Sequence, residues 1–292
     1  MAPAVLLLLA DPAHPVLSEA VVAPLARALD GPARWLAPDI ACELATTRAD
    51  AATIAAATLG DLPVDRVVLP AGDRLKRLLV SDMDSTIITV ECIDEIADFA
   101  GVKSAVADIT RRAMNGELDF AAALRARAAL LEGLPETVLE QVMTERVRLT
   151  PGARTLVTTL RARGATTALV SGGFTFFTQR VAALCGFDVH EANVLEARDG
   201  RLTGRVLEPI RGADAKLATF ERLRVSKGLS AEACAAVGDG ANDLPMLRAA
   251  GLGVGYRAHP SVAAEVTNLR HTDLTGVLYL MGIRRAAFTT LG

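Results

Sequence analysis

Asp82-Met83-Asp84-Ser85-Thr86 follows directly on the apolar run Leu78-Leu79-Val80, and Gly238-Asp239-Gly240-Ala241-Asn242-Asp243 closes a second short apolar run far downstream. Two carboxylate-rich turns, each at the end of a predicted buried strand, suit a hard divalent cation and a phosphorylated substrate. Carboxylates brought together repel unless a cation offsets them, and Mg²⁺ takes oxygen ligands while bridging carboxylate to phosphate. The expected ligands are Asp82 and Asp239 through their side chains and Asp84 through its backbone carbonyl. Asp243 is expected to hold a metal-bound water or the loop itself. An Asp-x-Asp pair alone carries little weight, but its context does. Asp82, Ser171 and Asp239 each follow a separate predicted strand, and in open α/β sheets the crevice lies beyond the carboxyl ends of the strands.

The residue types fit phosphoryl transfer. A carboxylate such as Asp82 can attack phosphorus and divide one displacement into two through an aspartyl-phosphate. Asp84, two residues on and directed to the same side, would protonate the leaving alkoxide and then deprotonate the attacking water. Ser171-Gly172-Gly173 follows Ala168-Leu169-Val170 and is read as opening a helix, where backbone amides and a hydroxyl meet phosphate oxygens. Lys216, at the start of another predicted helix, would be a fixed positive charge for the same oxygens.

The elements that must carry these residues follow from hydrophobic periodicity. Residues 1–74 read as a small α+β unit of order βαββαβ, a split-βαβ sandwich, with Pro70-Ala71-Gly72-Asp73 as linker. Residues 75–292 alternate strand and helix, the pattern of a parallel, doubly wound α/β sheet. Between the first strand of that sheet and the remainder, residues 92–148 form a helical block punctuated by Gly101, Asn115-Gly116 and Gly133-Leu134-Pro135, placed to act as a lid. Asp199-Gly200 suits a type I′ hairpin turn.

Composition limits the alternatives. With 292 residues, 51% of them hydrophobic, there is ample material for two cores, and a net charge of −3 gives no electrostatic case for nucleic acid or an anionic membrane. The four cysteines, Cys42, Cys92, Cys185 and Cys234, are scattered and form no Cys-x-x-Cys, which argues against zinc or a disulfide framework. The run Val5–Leu9 has no basic residue before it and is cut short by Asp11, so a cytoplasmic protein without a leader or membrane span is expected.

The ordered set Asp82-Met83-Asp84-Ser85-Thr86, Ser171-Gly172-Gly173, Lys216 and Gly238-Asp239-Gly240-Ala241-Asn242-Asp243 resembles the four motifs of the haloacid dehalogenase-like (HAD) phosphotransferases. Within them, the helical insertion is similar to the cap of the members that hydrolyse phosphoserine. The resemblance covers most of residues 76–270. It implies a Rossmann-like parallel sheet with an inserted helical cap, Mg²⁺ as cofactor, and hydrolysis of O-phospho-L-serine, the last step of serine biosynthesis. It also implies substrate-binding roles: Glu91 for the ammonium, Arg125 for the carboxylate, Met114 and Phe120 over the methylene, and Ser171, Gly172, Lys216 and Asn242 for the phosphate. An Arg fork and a Glu suit those two charges. The first unit resembles an ACT-like domain, which implies a site for pairing two copies or sensing an amino acid. Another small phosphate ester, transfer to an alcohol, or an amino-acid sensor with a vestigial core are the alternatives to be separated by experiment.

Overall fold

A computed structural model describes residues 3–114 and 117–289. The chain opens with β1 (Ala4–Ala10), α1 (Glu19–Ala28), β2 (Ala33–Ala37), β3 (Ala41–Thr46), α2 (Ala51–Leu59) and β4 (Val64–Pro70). Ser18 caps α1 by accepting from the Val21 N–H, and the helix turns Val22 and Leu25 inward. The four strands form an antiparallel sheet of order β2-β3-β1-β4, the order of a split-βαβ sandwich. β1 is central and buried on both faces, which is why it reads as an unbroken apolar run. Leu6 and Leu8 pack with Val22 and Leu25 under the helices. Leu7 and Leu9 point the other way, into the core of the following α/β unit.

That unit is built on β5 (Leu78–Ser81). Four helices follow it: α3 (Cys92–Phe99), α4 (Lys103–Met114), α5 (Phe120–Ala129) and α6 (Thr137–Glu145). The alternation then resumes with α7 (Ala153–Ala162), β6 (Thr166–Phe174), α8 (Thr175–Cys185), β7 (Val189–Arg198), β8 (Arg201–Leu207), α9 (Ala213–Ser226) and β9 (Cys234–Gly238). It closes with α10 (Leu244–Ala249), β10 (Leu252–Tyr256), α11 (Pro260–Ala263), β11 (Thr267–Leu269) and α12 (Gly276–Leu280). The seven strands run in the order β11-β10-β9-β5-β6-β7-β8, parallel except for β8. β5 pairs with β9 on one side and β6 on the other, so their carboxyl ends open side by side. Asp199 and Gly200, at φ 52° and 72°, make the hairpin turn between β7 and β8 as the type I′ reading requires.

The helical block leans on that hairpin. Gly133 N–H donates to Leu202 O, Leu202 N–H to Leu134 O, and Glu136 N–H to Gly200 O. At the other seam, α12 supplies Val277, Leu278 and Leu280 to the core that receives Leu7, Leu9 and Val67 of the first sheet. The Asp65 carboxylate on β4 crosses the same seam and accepts the backbone N–H groups of Arg270, His271 and Thr272 at 2.8–3.1 Å. The first sheet therefore has one face under its own helices and the other spent on the α/β unit. Among the described residues, no helix is long and apolar enough to cross a membrane.

Candidate active site

Three neighbouring strands of the second sheet deliver the acidic and hydroxyl groups. Asp82 follows β5 and keeps its backbone in the ladder by donating to Val237 O at 2.9 Å. One of its carboxylate oxygens, Oδ1, accepts from Met83 N at 2.7 Å and lies 2.8 Å from Lys216 Nζ. Lys216, almost wholly buried in the first turns of α9, reaches Asp243 Oδ1 at 2.7 Å as well. The second Asp243 oxygen accepts from the N–H groups of Asp239 and Gly240 at 3.2 and 3.1 Å. A Cβ at Gly238 would overlap this carboxylate, so only glycine closes β9 here. Thr86 Oγ1 donates to Asp239 Oδ1 at 2.8 Å and so ties the first acidic turn to the second.

Asp84 is held separately. Its Oδ1 accepts the Cys92 N–H, the first amide of α3, at 3.0 Å, and its Oδ2 accepts from Ser171 Oγ at 3.1 Å. Ser171-Gly172-Gly173 lies at a register break near the end of β6, and α8 begins only at Thr175, which corrects the reading of these residues as the opening of a helix. Ser171 Oγ accepts from Gly173 N at 2.8 Å, which folds the bulge onto itself. A Cβ at Gly173 would stand 2.8 Å from Asp84 Oδ2, so the bulge approaches the acid closely only because no side chain intervenes.

The electrostatics are those of too many carboxylates in too small a space. Oxygens of Asp82, Asp239 and Asp243 lie within 4.8 Å of one another. Burial, and then the charge of Asp243, push Asp82 well above the ordinary carboxylate range, against the pull of Lys216. Burial also raises Asp239, to about 6, with Thr86 resisting and Asp243 reinforcing the shift. Lys216 has the opposite balance: burial works against its charge, yet Asp82 and Asp243 outweigh burial and hold it above the usual lysine value. One buried cation facing three carboxylates leaves a negative surplus, and an all-oxygen donor set with that surplus fits a hard divalent ion. Asp84 is raised by burial, while hydrogen bonds from Cys92 and Ser171 oppose the shift.

Above these groups is a cavity of ≈ 400 Å³, floored by Asp82, Asp84, Ser171, Lys216, Asp239 and Asn242 and roofed by the inserted helices. Phe120, at the first turn of α5, presses its ring to where Cβ atoms of Gly172 and Gly212 would be, at 2.9 and 3.0 Å. Glu91, at the start of α3, opens onto the cavity and accepts from Ser85 Oγ at 2.6 Å. The protein mass around the cavity, and then the nearby Asp84 charge, raise its pKa to about 7, although the side chain itself stays exposed to solvent.

Most sequence-predicted residues therefore converge; one does not, and one cannot be placed. Met114 ends α4, and its side chain lies outside the described residues. Arg125 corrects the expectation. It points away from the cavity and pairs with Glu208 at 2.6 Å, with both side chains more than half exposed. Arg127 lines the cavity in its place, its guanidinium partly desolvated and facing the charges of Asp94 and Glu91. The helical period gives the reason: Phe120, Ala123, Leu124 and Arg127 follow i, i+3, i+4, i+7 and all line the cavity, whereas position 125 falls on the flank. That spacing from Phe120 was the signal available in the sequence. Thr86 and Cys92, which fix Asp239 and Asp84, had no such signal.

Residues 76–251 match the family model described as haloacid dehalogenase-like hydrolase. This chain belongs to the haloacid dehalogenase-like hydrolases. It is 48% identical over 233 residues to a phosphoserine phosphatase of Streptomyces coelicolor, a stretch covering 79% of this chain and 56% of that protein. It thus spans little more than half the length of that relative. A crystal structure described as a probable phosphoserine phosphatase from Vibrio cholerae, unliganded, superposes with a TM-score of 0.79 at 35% identity, covering 98% of this chain and 88% of that one. A structure described as a phospho-aspartyl intermediate analogue of phosphoserine phosphatase matches with a TM-score of 0.65 at 38% identity, covering 70% of this chain and 98% of that one.

Proposed function

We propose that this protein is a Mg²⁺-dependent phosphomonoesterase that hydrolyses O-phospho-L-serine to serine and phosphate. The observation that carries the reading is a single cavity with two chemical ends. Asp82 and Lys216, 2.8 Å apart, form one end beside Asp84 and Asp239, and Glu91 and Arg127 form the other under the inserted helices. The first end suits a phosphoryl group and the second an amino-acid zwitterion. The relatives' names support the same substrate.

Asp82, Asp239 and the Asp84 carbonyl would hold the cation, with Asp243 locking the loop and Lys216. Bound there, the ion supplies charge that lets an anionic nucleophile approach an anionic phosphoryl group. In the first step an oxygen of Asp82 attacks phosphorus. The ester P–O bond breaks, and the leaving alkoxide takes a proton from Asp84, whose burial favours its acid form. Ser171, the Gly172 amide, Lys216 and Asn242 bind the transferring oxygens. In the second step Asp84 accepts a proton from water as that water attacks phosphorus, and breakage of the acyl-phosphate bond returns Asp82 and releases phosphate. Arg127, rather than Arg125, takes the substrate carboxylate, Glu91 takes the ammonium, and Phe120 closes over the methylene and excludes water. A homodimer through the ACT-like unit would use α1 and α2, because the other face of that sheet is buried against α12.

The test is phosphate release from phosphoserine with and without Mg²⁺, for wild type and Asp82→Asn. The amide keeps the shape and removes the nucleophile, so turnover should vanish in the variant while the fold persists. Full activity in Asp82→Asn defeats the reading.

A further inference from the structure

Asn193 on β7 touches neither the acidic cluster nor the cavity, yet it is 1% exposed and its carboxamide is fully engaged. Nδ2 donates to Gly172 O at 2.8 Å and to Arg211 O at 3.1 Å, and Oδ1 accepts from Arg211 N at 2.6 Å. Two carbonyls on one side and an N–H on the other fix the orientation of the amide. Among neutral side chains of this size, asparagine alone donates twice and accepts once in that plane.

The groups it ties together matter. Gly172 belongs to the bulge that carries Ser171. Arg211 precedes Gly212, whose carbonyl accepts the Lys216 N–H at 3.2 Å and whose Cα faces the Phe120 ring. Glu191, two residues before Asn193 and so on the same face of β7, holds the same loop from its outer end. It accepts from Arg211 Nη1 at 2.9 Å and from Thr219 Oγ1 at 2.8 Å. We propose that Asn193 is a positioning residue that sets the Ser171–Gly173 bulge, the approach of α9 with Lys216, and the seat of Phe120 as one rigid unit. Through it a strand outside the cavity determines where phosphate oxygens and the closing roof meet. The proposal deepens the phosphatase reading and rests on it only through the phosphate site.

The experiment therefore reads phosphate directly, by calorimetric titration of the full chain with inorganic phosphate in Mg²⁺, alongside kcat and KM for phosphoserine. Asn193→Asp keeps the shape but faces a carboxylate toward two carbonyls, and Asn193→Ala removes the tether. Both should weaken phosphate binding by about tenfold or more and lower kcat by roughly 10- to 100-fold. Thr178→Val is the control: it removes a fully buried hydroxyl that reaches His190 at 3.2 Å, so it loosens the same layer without touching either loop. It should lower the melting temperature and leave phosphate affinity within about twofold, as expected of independent sites. A folded Asn193 variant that binds phosphate like wild type overturns the proposal. If neither variant folds, Glu191→Ala decides, since it removes the acceptor that holds the outer end of the same loop, and unchanged phosphate affinity there is equally fatal. Wild type that binds phosphate yet spares phosphoserine refutes the substrate reading and leaves this one standing.

Discussion

Exchanging the roles of two arginines two residues apart is the sharpest test of the cavity. Arg125 and Glu208 are 53% and 61% exposed, and an ion pair in that setting is worth about 0–1 kcal/mol after screening and side-chain ordering. Arg125→Ala should therefore change kcat/KM for phosphoserine by no more than about fivefold. Arg127 sits in the cavity wall, where burial lowers its pKa and the nearby Asp94 and Glu91 sustain its charge. Losing a charge-assisted contact to the substrate carboxylate from such a site costs about 2–4 kcal/mol, partly because the carboxylate then stays desolvated without a partner. Arg127→Ala should thus lower kcat/KM by roughly 30- to 1000-fold, mostly in KM if the contact is equal in ground and transition states. Arg127→Lys should recover only part of the loss, because the ammonium lacks the planar fork. p-Nitrophenyl phosphate has no carboxylate and serves as the internal control. Its hydrolysis should hardly change in Arg127→Ala. The reasoning is refuted if Arg125→Ala is the damaging variant, or if Arg127→Ala slows both substrates equally.

Glu91 makes a pH prediction: with its pKa raised to about 7, ammonium binding should strengthen and KM for phosphoserine fall as pH rises through that value. Glu91→Gln should abolish that limb, visible in KM profiles, and p-nitrophenyl phosphate should lack it throughout. The stability sign is the opposite. The folded state keeps a proton that the unfolded chain releases near 4.5, so this group's contribution falls as pH rises from there through about 7. Cation binding should relieve the surplus of Asp82, Asp239 and Asp243: Mg²⁺ at a hundred times its Kd adds about 2.7 kcal/mol, or roughly 5–10 °C in Tm. Asp239→Asn should erase most of that thermal shift, and an equal shift in wild type and variant would remove the metal assignment. Asp65→Ala leaves three seam amides without their acceptor and should cost about 2–4 kcal/mol by denaturant unfolding. A cost under about 0.5 kcal/mol, the scale of a surface change, would show that the two sheets are not joined through this residue.

What could be read in the chain was what depends on short range. The order βαββαβ, the alternation after residue 75 and the four inserted helices all appear where periodicity put them, because each needs only its own apolar face. The convergence of Asp82, Ser171 and Asp239 was legible too, since strand ends of one parallel sheet open on one side. The short β11 and α12 were not: three and five residues carry too little pattern, and α12 is apolar all round because it is buried between the two sheets. Arg127 escaped for a different reason. Leu124-Arg125-Ala126-Arg127 offers two guanidinium groups, and only the phase set by Phe120 decides which faces inward. Asn193 escaped most completely. Its neighbours along β7, Ala192 and Val194, give it the look of an ordinary strand position, and its meaning comes from Gly172 and Arg211, 21 and 18 residues away. Chemistry at a strand end can be read locally, because the acid or hydroxyl is itself the signal. The side chains that aim those groups carry no such mark, since an amide buried among carbonyls is distinguished only by the partners that folding brings to it.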